Sequence, residues 1–297
     1  MTRFKEPISF LDLPKHQATL LILLNLMNLI GFTRRHLQNL DKWVRRKAAA
    51  HRIETISYGG MEASYSCVEN KEIARVRNLG GEPMMDMLIE KELLPGDIVY
   101  EVGANIGFYS VIMAKKVGPS GKVFAFEPET VNFERLRVNT ELNGLANLFP
   151  CPFAASSESR LLFLHRHSTE AGEGAHMIVR EGGENTVPVF SFPLDELVSQ
   201  FRLPPPTVLK IDVEGHEGEV LSGMRRLLAA RTIRVAFIEI HYLYFSDSGR
   251  QAFSAEEEKA FRQKVLDTMA VGELELAEER RMDESGLGYA HALFVQR

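Results

Sequence analysis

The sequence predicts a doubly wound α/β fold, and three observations carry that reading. Short apolar runs alternate with segments of helical spacing from about residue 98 onward. The first run, "DIVYEVGANIGFYS" (97–110), passes from strand to helix through a glycine-bearing turn of the kind that holds nucleotide-type ligands. The chain closes on two strand-like segments, "ELELAEER" and "YAHALFVQR", whose hairpin forces one antiparallel strand onto an otherwise parallel sheet.

The 297 residues suffice for one α/β domain and an appendage. A chain that is 45% hydrophobic and 25% charged is of ordinary globular composition. Its net charge of −5 offers no basic field to nucleic acid. Cys67 and Cys151 form no CxxC pair, which fits a reducing compartment without disulfides or thiolate zinc sites.

Residues 1–79 read as an N-terminal extension, helical to about residue 50 and then a small β-hairpin or meander around Gly59-Gly60. The run "ATLLILLNLMNLIGF" (18–32) is interrupted by Asn25 and Asn28 and falls short of the roughly 20 apolar residues of a spanning helix. It starts late, follows Glu6 and Asp12 and lacks a cleavage pattern, so it is not read as a signal peptide. With its basic flank it occupies residues 18–47, expected to serve as a packing or homodimer helix or, alternatively, as a peripheral membrane contact. A true span is the remaining alternative, and the positive-inside rule would then still leave the large domain in the cytoplasm, so the expected compartment is the same in each case.

Residues 80–297 read as the principal domain. Pro83 opens a short helix, and Pro95-Gly96-Asp97 turns into the first strand, Ile98–Val102. A helix follows over about 107–116, then the strand "KVFAFE", a helix over about 129–143 and a strand near 148–155. Residues 156–193 are glycine-interrupted and β-rich, too long for an ordinary connection, and read as a hairpin insertion or lid. Alternation resumes with a helix at about 194–201, the Pro204–Pro206 break, the strand "TVLKID", a helix over 216–228, the strand "IRVAFIEI" and a charged helix over 255–269.

In such sheets ligands sit beyond the carboxyl ends of the strands. There the chain gathers Glu101, Glu127, Asp212, Glu214 and Glu239, with Lys210 the nearest cation. Asn105 stands where a dinucleotide fingerprint wants its second glycine, while Gly103 and Gly107 keep the backbone open to close approach. An acid-rich rim suits a ligand with ribose hydroxyls, net positive character and no phosphate. S-adenosyl-L-methionine meets that description.

On the stretches "EPMMDMLIEKELLPGDIVYEVGANIGFYS", "VFAFEPETVNFERLRVNTELNG", "VPVFSFPLDEL", "VLKIDVEGHEGEVLSGM" and "FIEIH", the chain resembles the FkbM family of methyltransferases from about residue 80 to its end. The resemblance implies a Rossmann-like fold with a seven-stranded, mostly parallel sheet and an antiparallel terminal strand. It implies methyl transfer from S-adenosyl-L-methionine to a hydroxyl of a sugar or natural product, leaving S-adenosyl-L-homocysteine. By it, the turn Glu101, Gly103, Ala104, Asn105 and Gly107 holds the methionine and ribose part. Glu127, followed by Pro128, takes the ribose hydroxyls, and the region around Ala154 lies near the adenine. Glu101 departs from the family's usual aspartate by one methylene.

A hydroxyl acceptor benefits from a general base, and the turn "IDVEGHE" offers Asp212, Glu214 and His216. His241 is a further histidine candidate. Asp212, Glu239 and His241 could converge on a metal, but their spacing does not demand one and none is expected. The expected partner is a small-molecule or glycan acceptor, including glycolipid. N-methylation, or a non-catalytic scaffold that only binds the donor, is the alternative.

Overall fold

The computed structural model describes residues 52–78, 82–168, 170–172, 174–179, 181–246, 249–284 and 287–296. Residues 1–51, with the apolar run and much of the expected helical extension, lie outside the described residues. Among the described residues no helix is long and apolar enough to cross a membrane.

Residues 52–297 form one compact unit, so the expected boundary near residue 79 falls inside it. Strands β1 (Arg52–Tyr58) and β2 (Met61–Cys67) pair antiparallel as expected. The segment after them was also read as β but is helix α1 (Asn70–Arg77). The reason is local: the Glu72 carboxylate, three residues past Glu69, accepts the otherwise orphaned amides of Val68 and Glu69 at 2.6 and 2.7 Å. Helix α2 (Pro83–Met87) begins at its proline and widens into a π-helical turn, Leu88–Glu92.

The principal sheet uses β3 (Ile98–Val102), β4 (Lys122–Phe126), β5 (Leu148–Cys151), β10 (Val208–Ile211), β11 (Val235–His241), β14 (Leu274–Glu284) and β15 (Leu287–Gln296). Their spatial order is β14-β15-β11-β10-β3-β4-β5, with β15 antiparallel to both neighbours and the other described pairings parallel. This is the mostly parallel seven-stranded sheet with an antiparallel terminal strand. Strand order reverses between β3 and β10, where α/β sheets open their ligand crevice.

Side-chain alternation divides the core. Val99, Val123, Val208 and Phe237 pack on one face with α3 (Phe108–Val117) and the β1–β2 hairpin. Tyr100, Phe126, Leu209 and Ile238 pack on the other with α5 (Leu194–Phe201) and α8 (Ala255–Ala270). The same parity puts Glu101, Lys210, Glu239 and His291 on the first face, and register sets Lys210 opposite Glu101 and Glu239 opposite His291. A row of charge therefore crosses the buried sheet just below its carboxyl edge.

Between β5 and α5 lies the expected insertion, a separate sheet of order β6-β9-β7-β8 formed by Ala154–Ala155, Thr186–Phe192, Arg160–His165 and Met177–Val179. Two expectations change here. The strand expected at 148–155 divides, its last two residues joining this second sheet. The helix expected over 216–228 breaks into α6 (Glu217–Ser222) and α7 (Arg225–Ala229), because Gly223 presses on the chain at Ser156. A Cβ there would stand 1.9 Å from the Ser156 carbonyl oxygen. A second hairpin, β12 (Leu243–Ser246) with β13 (Gly249–Ala252), was not foreseen. Helix α4 (Thr130–Leu142) follows β4, its first amides at Val131 and Asn132 capped by the Glu129 carboxylate.

Candidate active site

The turn after β3 consumes its own backbone donors. The amides of Gly103 and Ala104 bond to the Phe126 carbonyl at 3.0 and 3.1 Å, and Gly107 to the Ala104 carbonyl at 2.9 Å. The Asn105 amide donates to Glu127 Oε2 at 2.7 Å and that of Ile106 to Asn105 Oδ1 at 2.8 Å. No N–H of the turn is left for a phosphate, which is how a dinucleotide site would use it. Asn105 itself sits at φ 51°, a left-handed position that asparagine tolerates better than most side chains.

The two glycines serve the chain before any ligand. Gly103 lies at φ 84°, and a Cβ on it would stand 1.8 Å from the Asp212 carbonyl oxygen. Gly107, at φ 81°, would put one 2.4 Å from Leu136 Cδ1 on α4. Gly107 is not on the wall of the cleft. Its expected ligand contact is corrected to the start of α3, where helix packing requires it.

A solvent-open cleft of about 1030 Å³ lies against this turn. Of the other residues expected at the cofactor, Glu101, Gly103, Ala104, Asn105, Glu127, Pro128 and Ala154 line it, as do Asp212, Glu214 and His216. Phe126, Phe153 and Ala155 add an apolar shelf beside Ala154. Glu127 is 6% exposed, and burial pushes its carboxyl up to about 7 against two backbone bonds, from Asn105 and from Glu129 at 2.9 Å. Glu101 is likewise raised to about 7 by burial, but its carboxylate is taken by the Ser110 hydroxyl and approached by Lys210 Nζ at 3.8 Å. The extra methylene thus points it at the interior charge row.

Lys210 Nζ also donates to the Gly103 carbonyl at 3.0 Å and to Asp212 at 3.1 Å, which engages that candidate base in an ion pair. His216 is neutral: burial holds its imidazole below the usual histidine range, and its Nε2 lies 3.0 Å from the Ser156 hydroxyl. A second, solvent-open cavity of about 1890 Å³ lies between the insertion sheet, the turn before α6 and Tyr244. Ile178, Glu214 and His216 form a wall common to both cavities. Glu214 reaches that wall from a left-handed φ of 53°.

His241 is buried among acids. Its Nδ1 meets Glu217 at 2.8 Å and its Nε2 meets Glu239 at 3.2 Å, and these acids hold it well above the usual histidine range despite burial. Oxygen and nitrogen atoms of Asp212, Glu239 and His241, and of Glu82, Glu239 and His291, do converge within 4.8 Å. The pKa of His291 is also raised, against its burial, beside Glu239 at 3.2 Å. Glu239 is correspondingly held below the usual carboxylate range by its two histidine partners.

Several residues of the cleft were not foreseen, among them Tyr109, Glu82 and Arg75. Tyr109 follows the quoted turn and reads as one more apolar helix position. Glu82 reads as an ordinary acid ahead of the helix-opening Pro83, and Arg75 fell in the segment taken for β. All three line the cleft.

The methyltransferase FkbM domain model matches residues 101–271, more than half of the chain. The hexuronic acid methyltransferase AglP of Haloferax volcanii is 34% identical over 68% of this chain and 80% of that protein. The 31-O-demethyl-FK506 methyltransferase FkbM of Streptomyces tacrolimicus is 29% identical over 50% of this chain and 67% of its own length. A solved structure of a methyltransferase FkbM from Methylobacillus flagellatus KT aligns with TM-score 0.46 at 14% identity, over 76% of this chain and 55% of that one.

Proposed function

Because the chain belongs to the FkbM methyltransferase family, we propose that it carries a methyl group from S-adenosylmethionine to an oxygen of a sugar acceptor, with His216 as general base. The observation that carries the reading is the wall shared by the two cavities. It sets a neutral imidazole between the cleft beside Glu127 and a second open cavity.

The cleft suits this donor in three respects: its turn has no free amide for phosphate, Glu127 offers a buried carboxylate to ribose hydroxyls, and Phe153 with Ala154 offers an apolar shelf to a purine. When bound, the donor supplies a methyl carbon whose bond to sulfur breaks, its electrons returning to sulfur, as the acceptor oxygen bonds to carbon. His216 takes the hydroxyl proton, for which a depressed pKa keeps it ready at neutral pH. Holding the acceptor against this wall supplies the alignment that in-line displacement demands.

The name of the Haloferax volcanii relative supports a sugar acid as acceptor. A carboxylate oxygen needs no base, whereas a hydroxyl does. Incubating the protein with labelled S-adenosylmethionine and neutral or uronic-acid glycans separates the two. Hydroxyl methylation that falls sharply in His216→Ala supports the proposal, and transfer indifferent to it moves the acceptor to the carboxylate. A folded protein that binds the donor and labels no glycan contradicts the sugar reading. Labelling an amine would instead establish N-methylation, and donor binding without turnover a scaffold.

A further inference from the structure

The donor reading leaves one end of the cleft without an assigned occupant. Glu127 and the apolar shelf account for a ribose and a purine. The remaining end is polar, and two of its buried polar atoms have no hydrogen-bond partner. Tyr109 is 4% exposed, yet its buried hydroxyl makes no hydrogen bond. Glu82 Oε2 is buried and makes none either. Leaving such groups unpaired costs about 1–3 kcal/mol each and more for a charge, so sites that retain them are commonly completed by a ligand. Arg75 reaches the same end from α1 and has no ion pair or hydrogen bond among the described residues.

We infer that Arg75, Tyr109 and Glu82 form the subsite for the α-amino-acid end of the donor: the guanidinium and the phenol hydroxyl take its carboxylate, and Glu82 takes its ammonium. This rests on the reading of the cleft as an S-adenosylmethionine site and adds to it where the zwitterion lies.

The chemistry matches group by group. A carboxylate accepts two N–H bonds from a guanidinium fork and one O–H bond from a phenol. An ammonium donates, and Glu82 is an acceptor when ionised. Burial and the nearby Asp212 and Glu239 push its carboxyl up to about 8, and an ammonium beside it would reverse that.

Position supports the assignment to the donor. A Cβ built on Gly174 would stand 3.3 Å from Arg75 Nη2 and 4.0 Å from Asn105 Nδ2, so the guanidinium borders the turn after β3. Arg75, Tyr109 and Glu82 are all absent from the wall of the second cavity, where the acceptor is placed. Their mounting is firm. Glu72, one turn before Arg75 and fully buried, pairs with Arg135 Nε of α4 at 2.5 Å. The Gly172 amide bonds to Asn132 Oδ1 at 2.8 Å, drawing the insertion over α4. The family model begins at residue 101, so Arg75 and Glu82 lie outside the matched segment.

The test uses two nucleosides that differ only at this end. S-adenosylhomocysteine carries the amino acid, and 5′-methylthioadenosine lacks it. Calorimetric titration of the full chain and of Arg75→Ala, Tyr109→Phe and Glu82→Gln measures both. The expected result is a tenfold to hundredfold loss of S-adenosylhomocysteine affinity in Arg75→Ala and Glu82→Gln, and a smaller loss in Tyr109→Phe. Affinity for 5′-methylthioadenosine stays within twofold, which also shows that each variant folds. Variants that bind both nucleosides as the unaltered chain does overturn the subsite and leave the cofactor reading standing. Equal losses for both ligands in folded variants overturn it too. An unaltered, folded chain that binds neither nucleoside overturns the cofactor reading, and the subsite with it.

Discussion

The Glu127 carboxylate accepts the Asn105 amide at 2.7 Å, tying the end of β4 to the turn after β3. Its other oxygen accepts the Glu129 amide at 2.9 Å. One side chain therefore shapes the turn and faces the cleft. Glu127→Ala should weaken S-adenosylhomocysteine binding at least tenfold and lower stability by about 2–6 kcal/mol, the cost of two amides left without acceptors at about 1–3 kcal/mol each. Calorimetry and chemical denaturation measure the two effects separately. Loss of neither would remove Glu127 from the site.

Donor affinity should depend on pH through the same group. Burial sets the folded Glu127 carboxyl at about 7, above its ordinary 4.5. Because the folded value is the higher one, its contribution to the stability of the empty protein is full below 4.5 and lost as pH rises through about 7. A ribose hydroxyl donates to the ionised form, so binding strengthens as that proton leaves. Dissociation constants for 5′-methylthioadenosine, which leaves Glu82 uninvolved, should fall by up to about tenfold between pH 6 and 8. A flat profile would show that the ribose does not use Glu127.

His216 lines both cavities and is held neutral by burial. His216→Ala should lower kcat for a hydroxyl acceptor about 10²–10⁴-fold while leaving donor affinity unchanged. The acid limb of kcat/KM in the unaltered chain should lie below the usual histidine range, since protonation removes the base. A matching loss in the His216→Ala variant's donor binding would make the residue structural instead.

The two glycines of the turn should differ in tolerance. An alanine Cβ at 103 strikes a backbone carbonyl at 1.8 Å, whereas one at 107 meets the end of the Leu136 side chain at 2.4 Å. Both pay about 1–2 kcal/mol for a left-handed φ. Gly103→Ala should therefore lower Tm more than Gly107→Ala, and Leu136→Ala should relieve part of the Gly107→Ala defect. Thermal melts of the single and double variants decide this.

Much of this architecture is local and so was legible in the chain. The β3 run, its glycine turn and the acids at 101, 127, 212 and 214 announce themselves because strand ends and turns lie close in sequence. The antiparallel β15 followed from its hairpin with β14. The charge row was not legible, because Glu239 meets His291 only through the register of strands far apart in the chain. The packing of α6 on β11 turned His241 from a candidate base into a cation bound by Glu217 and Glu239. Helix α1 was missed because its start depends on one buried carboxylate, Glu72, folding back onto two amides. Arg75 was lost with it. Gly223 likewise gave no sign that it would meet Ser156 and break a helix in two.

The central claim is that the cleft beside Glu127 holds the methyl donor and presents its methyl toward His216. A crystal structure of the protein grown with S-adenosylhomocysteine tests it most directly. The account predicts the ribose hydroxyls on the Glu127 carboxylate, the adenine against Phe153 and Ala154, and the sulfur facing the wall formed by Glu214 and His216. A nucleoside bound elsewhere, or one in the cleft whose sulfur faces away from that wall, would contradict it.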